Sequence, residues 1–328
     1  MARHTSRILV GTGVAASAFA GIVYAIANHL VSFALDTEYK HSTFNEPQRV
    51  TRTQPVHLDA QEEEESTDWF EQSKQPVVVT SEDGLQLHGW LFDPDCASPA
   101  PHCYAICCHG YTGEPVEMAK YAHRFARLGF TVLVPAMRGH ELSEGRYVGM
   151  GWLDRRDLMR WIDLIVSSDA DARILLQGRS MGAAAVMMTV GEPDLPRNVV
   201  AAIEDCGYTS VWDQFLHIAR SFYHLPKFVA KPFVAAMSTI CQSRAGYGFQ
   251  EASCEEQLRH TTIPMLFIHG GDDDFVSPQS LDRNFDACAS IDRQKLLIPT
   301  AGHSMSASTA PIIYWRTVTN FVKRIFAL

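Results

Sequence analysis

Three stretches of the chain carry side chains that could do chemistry together. Gly178-Arg179-Ser180-Met181-Gly182 is a G-x-S-x-G pentapeptide between the apolar run Ile174-Leu175-Leu176-Gln177 and the small apolar run Ala183–Met188. A bare G-x-S-x-G is common by chance and is often a plain tight turn. Between a strand and a helix it reads as a nucleophile elbow, a turn so sharp that the serine backbone is strained and the residues two away on each side must lack side chains. Such a turn raises Ser180 Oγ above the sheet and aims the free N–H groups of the next helix at the same place.

A serine alone is a weak nucleophile and needs a base and a group to orient that base, expected here in the chain order Ser, Asp, His. Met265-Leu266-Phe267-Ile268 runs straight into His269-Gly270-Gly271-Asp272-Asp273-Asp274, and Lys295-Leu296-Leu297-Ile298 leads to Thr300-Ala301-Gly302-His303. Each puts a candidate just past the carboxyl end of a strand, where α/β sheets build their sites. Among 14 histidines, His303 stands out by position, in a glycine-containing loop between the last strand and the last helix. The acid is less defined. A run of three aspartates is usually a solvated turn, so Asp272, Asp273 and Asp274 all stay open, as does Asp205 after Val199-Val200-Ala201-Ala202-Ile203. His109 and His269 read as loop braces, and His140 as a surface or bracing residue.

The elements that would position these groups follow from periodicity. Pro76–Thr80 and the alternating Leu85–Phe92 predict an antiparallel pair around a Ser81–Gly84 turn. From Tyr104 onward strands and helices alternate, which calls for a parallel sheet, with helices over 118–128, 153–167, 180–190, 278–289 and 308–325. Between Cys206 and Thr262 the strand rhythm stops. Val211–Tyr223 is amphipathic, and a further helix is expected over Pro232–Cys241.

With these residues in hand, the chain resembles an α/β-hydrolase, in particular a bacterial, membrane-anchored serine-hydrolase branch whose elbow reads G-x-S-M-G and whose acid loop opens H-x-x-D-D, here His269–Asp273. The resemblance covers roughly residues 75–328. It implies an α/β fold with a mostly parallel central sheet of about eight strands flanked by helices, and a helical cap inserted after strand six at about 207–262. It implies Ser180 as nucleophile, His303 as base and Asp273 as acid, four residues after His269. The family's H-G at the end of the third strand matches His109-Gly110, which makes the N–H groups of Tyr111 and Met181 the oxyanion hole. One pattern is broken: where many relatives read D-x-R-G-x-G-x-S, this chain has Ala136 in place of the aspartate and Glu141 in place of the second glycine.

The activity so implied is a serine hydrolase cleaving a carboxylic ester of a small or medium acyl group through an acyl-enzyme. Trp212, Phe215 and Phe222 of the cap are candidates for an apolar substrate pocket, against the plainer reading that they pack the cap onto the sheet. The same machinery serves a thioesterase, an aminopeptidase or an acyltransferase, and a non-catalytic surface binding protein is the alternative from another class.

Composition sets outer limits. A formal net charge of −9 and the lack of a basic run argue against a nucleic-acid partner. Eight cysteines show no C-x-x-C pair or zinc spacing, so no metal and no cofactor are expected, while bridging among Cys96, Cys103, Cys241, Cys254 and Cys288 stays open. Arg3 and Arg7 precede an apolar run from Ile8 to Leu35, interrupted by Asn28-His29 and long enough to cross a bilayer at about 20 residues. Residues 1–35 are therefore expected to be a single-pass anchor holding the catalytic domain outside the cytoplasm. Ala18-Phe19-Ala20 makes a cleaved signal and a secreted protein the main alternative, with a buried or peripheral helix as the third reading. The expected partners are this membrane and a small-molecule or lipid-like ester. Residues 36–74 read as an acidic, solvated spacer with one short helix around Asp68–Gln72 docking on the domain, and residues 75–328 as the hydrolase domain.

Overall fold

The computed structural model describes residues 21–45 and 57–328. Eight strands form one sheet: β1 Gln75–Thr80, β2 Gln86–Phe92, β3 Cys103–Cys108, β4 Thr131–Pro135, β5 Arg173–Arg179, β6 Val199–Asp205, β7 Met265–Gly270 and β8 Arg293–Ile298. Their order is β1-β2-β4-β3-β5-β6-β7-β8. The β1–β2 and β2–β4 pairings are antiparallel and the other five are parallel. The inner strands, with polar residues such as Gln177, Glu204 and His269 toward their carboxyl ends, carry apolar residues on both faces because both faces are covered. Alternation splits them between two cores: Ile106, Cys108, Ile174, Leu176 and Phe267 face one, while Ala105, Cys107, Leu175, Leu266 and Ile268 face the other.

The helices are α1 (21–35), α2 Ala60–Ser73, α3 Ala119–Arg127, α4 Asp154–Ser168, α5 Met181–Thr189, α6 Val211–Ser221, α7 Lys227–Ala245, α8 Cys254–Leu258, α9 Gln279–Ala287, α10 Ser306–Thr309 and α11 Pro311–Phe326. The first core is closed by α4 and α5 through Leu158, Trp161, Ile162 and Ala184–Met188. The second is closed by α3 and α11 through Tyr121, Phe125, Trp315, Val318 and Phe321. The expected insertion after the sixth strand is helical, made of α6, α7 and α8. Here α7 starts at Lys227 rather than at Pro232, and the proline lies inside the helix. A proline is usually taken as a first-turn residue, and here it sits in the second turn. All eight cysteines are free thiols.

The N-terminal third departs most from expectation. The spanning segment drawn over residues 8–35 is not found as such: among the described residues no helix is long and apolar enough to cross a membrane. Residues 1–20 lie outside the described residues. Ala27, Val31 and Leu35, one stripe of α1 at four-residue spacing, are buried in the first core. The polar residues that interrupt the apolar run have partners: Arg244 of α7 donates to Asn28 Oδ1 at 2.5 Å and to Ser32 Oγ at 2.9 Å. Leu35 O accepts from Val148 N at 3.0 Å, and Arg146 binds Asp36 at 3.0 Å.

The acidic stretch also docks. α2 runs for 14 residues, with Glu62 and Glu63 in its first turn, where carboxylates complement the helix dipole. Phe70 is buried, Trp69 stacks on His123 at 4.5 Å, and Lys120 binds Asp59 at 2.5 Å. The docking helix expected around Asp68–Gln72 is thus longer, and it carries the glutamates that sequence alone read as a solvated run.

These contacts predict that Leu35→Ala lowers the stability of the whole chain by about 2–5 kcal/mol, the range for emptying a buried leucine site. Thermal denaturation of the full-length protein measures this. A change near zero would mean that α1 does not belong to the folded core.

Candidate active site

The elbow begins with β5, held between β3 and β6, and ends in α5, whose residues are all buried. Ser180 sits between them at φ 56° and ψ −116°. A Cβ on Gly178 would lie 2.2 Å from Gly182 O, and one on Gly182 would lie 2.2 Å from Cys108 O. No side chain fits at either position, which is the steric content of the motif. Ser180 N donates to Asp205 O at 2.8 Å, tying the turn to the end of β6.

Ser180 Oγ lies 2.8 Å from His303 Nε2, and His303 Nδ1 lies 2.8 Å from Asp273 Oδ2. With Nδ1 protonated toward the carboxylate, Nε2 is the acceptor for the serine proton. The loop after β7 therefore brings Asp273 to His303. Asp205, the other candidate acid, accepts from Tyr314 Oη at 2.9 Å instead. Asp272 donates its N–H to Ala301 O at 3.0 Å, and Asp274 O lies 3.3 Å from His217 Nε2.

Asp273 is fully engaged. Its Oδ1 accepts from Phe275 N at 2.9 Å and Val276 N at 2.8 Å, and its Oδ2 also meets His269 Nε2 at 3.2 Å. Burial alone would raise its pKa. The charge of His303 and the hydrogen bonds from His269 and His303 outweigh that and hold it far below the usual carboxylate range. His269 is buried, which on its own would lower its pKa, but Asp273 and Glu204 raise it. Glu204, enclosed at the end of β6, is pushed up to about 8 by burial, with one oxygen accepting from Gly207 N at 2.9 Å.

The predicted oxyanion donors flank the serine. Met181 is the first residue of α5, where N–H groups have no intrahelical acceptor. Gly110, just before Tyr111, approaches so closely that a Cβ there would sit 3.4 Å from Ser180 Cβ. Among the described residues, neither Tyr111 N nor Met181 N donates a hydrogen bond within the protein. His109 braces this strand end as expected: its Nε2 accepts from Met137 N at 3.0 Å, its Nδ1 donates to Gly110 O at 2.8 Å, and burial keeps it neutral.

The cap aromatics divide. Trp212 and Phe215 pack against the core, and Phe215 stacks on Phe249 with centroids 4.6 Å apart. Phe222 instead meets Phe275 at 6.2 Å, and Phe275 lies edge-on to His303 at 4.9 Å. Sequence reasoning passed over Phe275, although it stands two residues after the acid and so had to fall in the site. A cavity of about 240 Å³, lined by Glu63, Thr67, Lys120, Tyr121, Arg179 and Ser304 among others, has none of Ser180, Asp273 and His303 in its lining. Trp212, Phe215 and Phe222 do not line it. Cys206, at φ 54°, puts its Sγ 3.4 Å from Ser304 Oγ.

Residues 99–246 match the family described as serine aminopeptidase, S33. The chain is 28% identical over 256 residues to the uncharacterised protein YqkD of Bacillus subtilis, covering 77% of this chain and 81% of that one. Among solved structures, a Pyrococcus furiosus esterase superposes with a TM-score of 0.60 at 21% identity, over 77% of this chain and 91% of that one. An acylaminoacyl peptidase of Pyrococcus horikoshii superposes with a TM-score of 0.54 at 16% identity, over 78% of this chain and 43% of that one.

The buried carboxyl of Glu204 makes a prediction about pH. A carboxyl whose pKa is raised on folding contributes stability that is fully present below the ordinary glutamate range and is lost as pH rises through about 8. Glu204→Gln removes that dependence. Its melting temperature relative to wild type should climb between pH 5 and pH 8 and level off above. A constant difference across that range would contradict a protonated Glu204 in the folded protein.

Proposed function

We propose, from the premise that this chain belongs to the α/β-hydrolase superfamily, that it is a serine hydrolase cleaving a carboxylic ester of a small or medium acyl group. The observation that carries this reading is the continuous hydrogen-bonded line from Ser180 Oγ through His303 to Asp273, with each link at 2.8 Å. Ser180 Oγ attacks the ester carbonyl as its proton passes to His303 Nε2. The carbonyl oxygen becomes an oxyanion received by the N–H groups of Tyr111 and Met181; losing one such donor typically costs about 2.7–4 kcal/mol of barrier stabilisation. The C–O bond to the alcohol breaks, the alkoxide takes the proton from His303, and an acyl-Ser180 remains. Water then attacks that acyl group, giving a proton to His303, and the acid leaves as Ser180 recovers its proton. Asp273 stays ionised throughout and stabilises the imidazolium.

The acyl group is assigned to the apolar side of the site, where Phe275 borders His303 and Phe222 borders Phe275. Two apolar rings there suit a carbon chain better than a charged peptide terminus, which favours the ester among the substrates this machinery can cleave.

Ser180→Ala and His303→Ala should each reduce p-nitrophenyl ester turnover by about three orders of magnitude or more while leaving thermal unfolding intact. Asp273→Asn should lose most activity as well, whereas Asp205→Asn should keep it if it folds. A fluorophosphonate probe should label the wild type and not Ser180→Ala. Labelling of the Ser180→Ala variant, or full activity in Asp273→Asn, would break the assignment. A series of acyl chain lengths, with the matching anilides as a control, reads the substrate preference.

A further inference from the structure

Tyr111 is held from two directions. From the sheet side, His109 ties the Gly110 carbonyl to the loop after β4. From the other side, its phenol reaches into the N-terminal segment. Tyr111 Oη donates to Ala34 O at 2.6 Å and pairs with Thr43 Oγ1 at 2.5 Å. Thr43 Oγ1 also reaches Phe33 O at 3.1 Å, so the two hydroxyl protons are shared among three contacts that tie the phenol to this segment. Phe44 packs edge-on against both Tyr111 and His140, each at 5.2 Å, and His140 lies 5.0 Å from His109. The next residue, Thr112, has φ 56°. Such a backbone persists only where its surroundings over-determine it.

The segment that grips the phenol is itself fixed. α1 buries Ala27, Val31 and Leu35, Arg244 of the cap clamps Asn28 and Ser32, and Thr37 N donates to Arg146 O at 2.9 Å. Thr43 N donates to Phe33 O at 3.0 Å, folding 36–43 back beside α1 and bringing Ala34 and Thr43 to one point.

We propose that residues 27–44 are a positioning element of the active site: by holding the Tyr111 phenol they fix the direction of the Tyr111 N–H at the oxyanion. This rests on the serine-hydrolase reading above and extends it to a segment that hydropathy assigns elsewhere. Tyr111 bears a backbone donor that would touch the substrate, while Thr43 and Ala34 act through it. Small errors in such geometry are expensive in rate and nearly silent in binding.

The experiment uses the full-length chain with Tyr111→Phe, Thr43→Val and Thr43→Ser. In Tyr111→Phe and Thr43→Val, kcat for p-nitrophenyl acetate should fall about tenfold to a hundredfold with KM within about twofold. Affinity for a trifluoromethyl ketone, which forms an oxyanion on Ser180, should weaken by a similar factor. Thr43→Ser keeps the hydroxyl and should restore both. Melting temperatures identify any variant that fails to fold; Thr43→Val, which alters a single partly buried hydroxyl, keeps the test open if Tyr111→Phe does not fold. Folded Tyr111→Phe or Thr43→Val with wild-type kcat and wild-type ketone affinity would overturn the inference. So would an equal loss in Thr43→Ser. Ser180→Ala, run beside them, separates the two levels: if it still turns over substrate the hydrolase reading fails, and if it is inactive while Tyr111→Phe is normal only the positioning role fails.

Discussion

Ser180 holds a backbone conformation, φ 56° and ψ −116°, that costs an L-residue about 1–3 kcal/mol, and the rest of the structure must make every alternative worse. β5 is paired along its length with β3 on one side and β6 on the other, so the strand cannot shift to relieve the turn. α5 is buried on all sides and cannot rotate. The Ser180 N–H is bound to Asp205 O, and the two flanking glycines let the carbonyls of Gly182 and Cys108 approach where a methyl group would collide. The strain is therefore held by the centre of the sheet, the part of the fold that opens last.

The same rigidity serves the acid. A carboxylate buried beneath an imidazole loses its hydration, and without compensation it would protonate. Asp273 is compensated by two backbone N–H groups on one oxygen and two histidines on the other. That number of donors occupies nearly all its acceptor capacity, so the side chain has one orientation and one charge state. Glu204, equally buried but with a single backbone donor, goes the other way, its pKa pushed up by burial. Two carboxyls in the same part of the molecule are thus set apart by the donors that surround each.

The alternation of strands and helices, the elbow, and the order of serine, acid and histidine were legible because each depends on local constraints: apolar periodicity, glycine where no Cβ fits, and loops at strand ends. Choosing among Asp272, Asp273 and Asp274 was not a local matter, since it turns on which carboxylate the loop after β7 carries under His303. The cap aromatics could not be sorted between packing and pocket for a similar reason. Phe215 and Phe222 lie at helical spacing from one another, yet one stacks on Phe249 and the other points to Phe275. The N-terminal run was read as a membrane anchor; residues 21–35 of it pack on the protein through Ala27, Val31 and Leu35, and residues 1–20 lie outside the described residues. Hydropathy records that Ala27, Val31 and Leu35 avoid water, and it is blind to whether lipid or protein replaces that water. The signal was present in Asn28 and Ser32, polar groups in an apolar run that required partners and found Arg244.

The loop after β4, where the sequence departs from the pattern it resembles, is held by contacts of its own. Where the pattern that the sequence resembles has an aspartate this chain has Ala136, whose N donates to His88 O at 3.0 Å and whose O accepts from Ser143 Oγ at 2.7 Å. Arg138 then anchors the loop from the inside, with two bonds of 2.6 Å to Asp157 and a third of 3.0 Å to Asp83. Paired guanidinium and carboxylate forks of this kind fix direction as well as distance. Glu141, in place of a glycine, keeps the left-handed backbone at φ 46° that the glycine would have adopted freely, and its carboxylate accepts from Trp90 Nε1 at 3.2 Å. The loop's shape is thus maintained by these contacts. Because His109 takes its hydrogen bond from Met137 in this same loop, what is maintained reaches the Gly110–Tyr111 peptide beside Ser180.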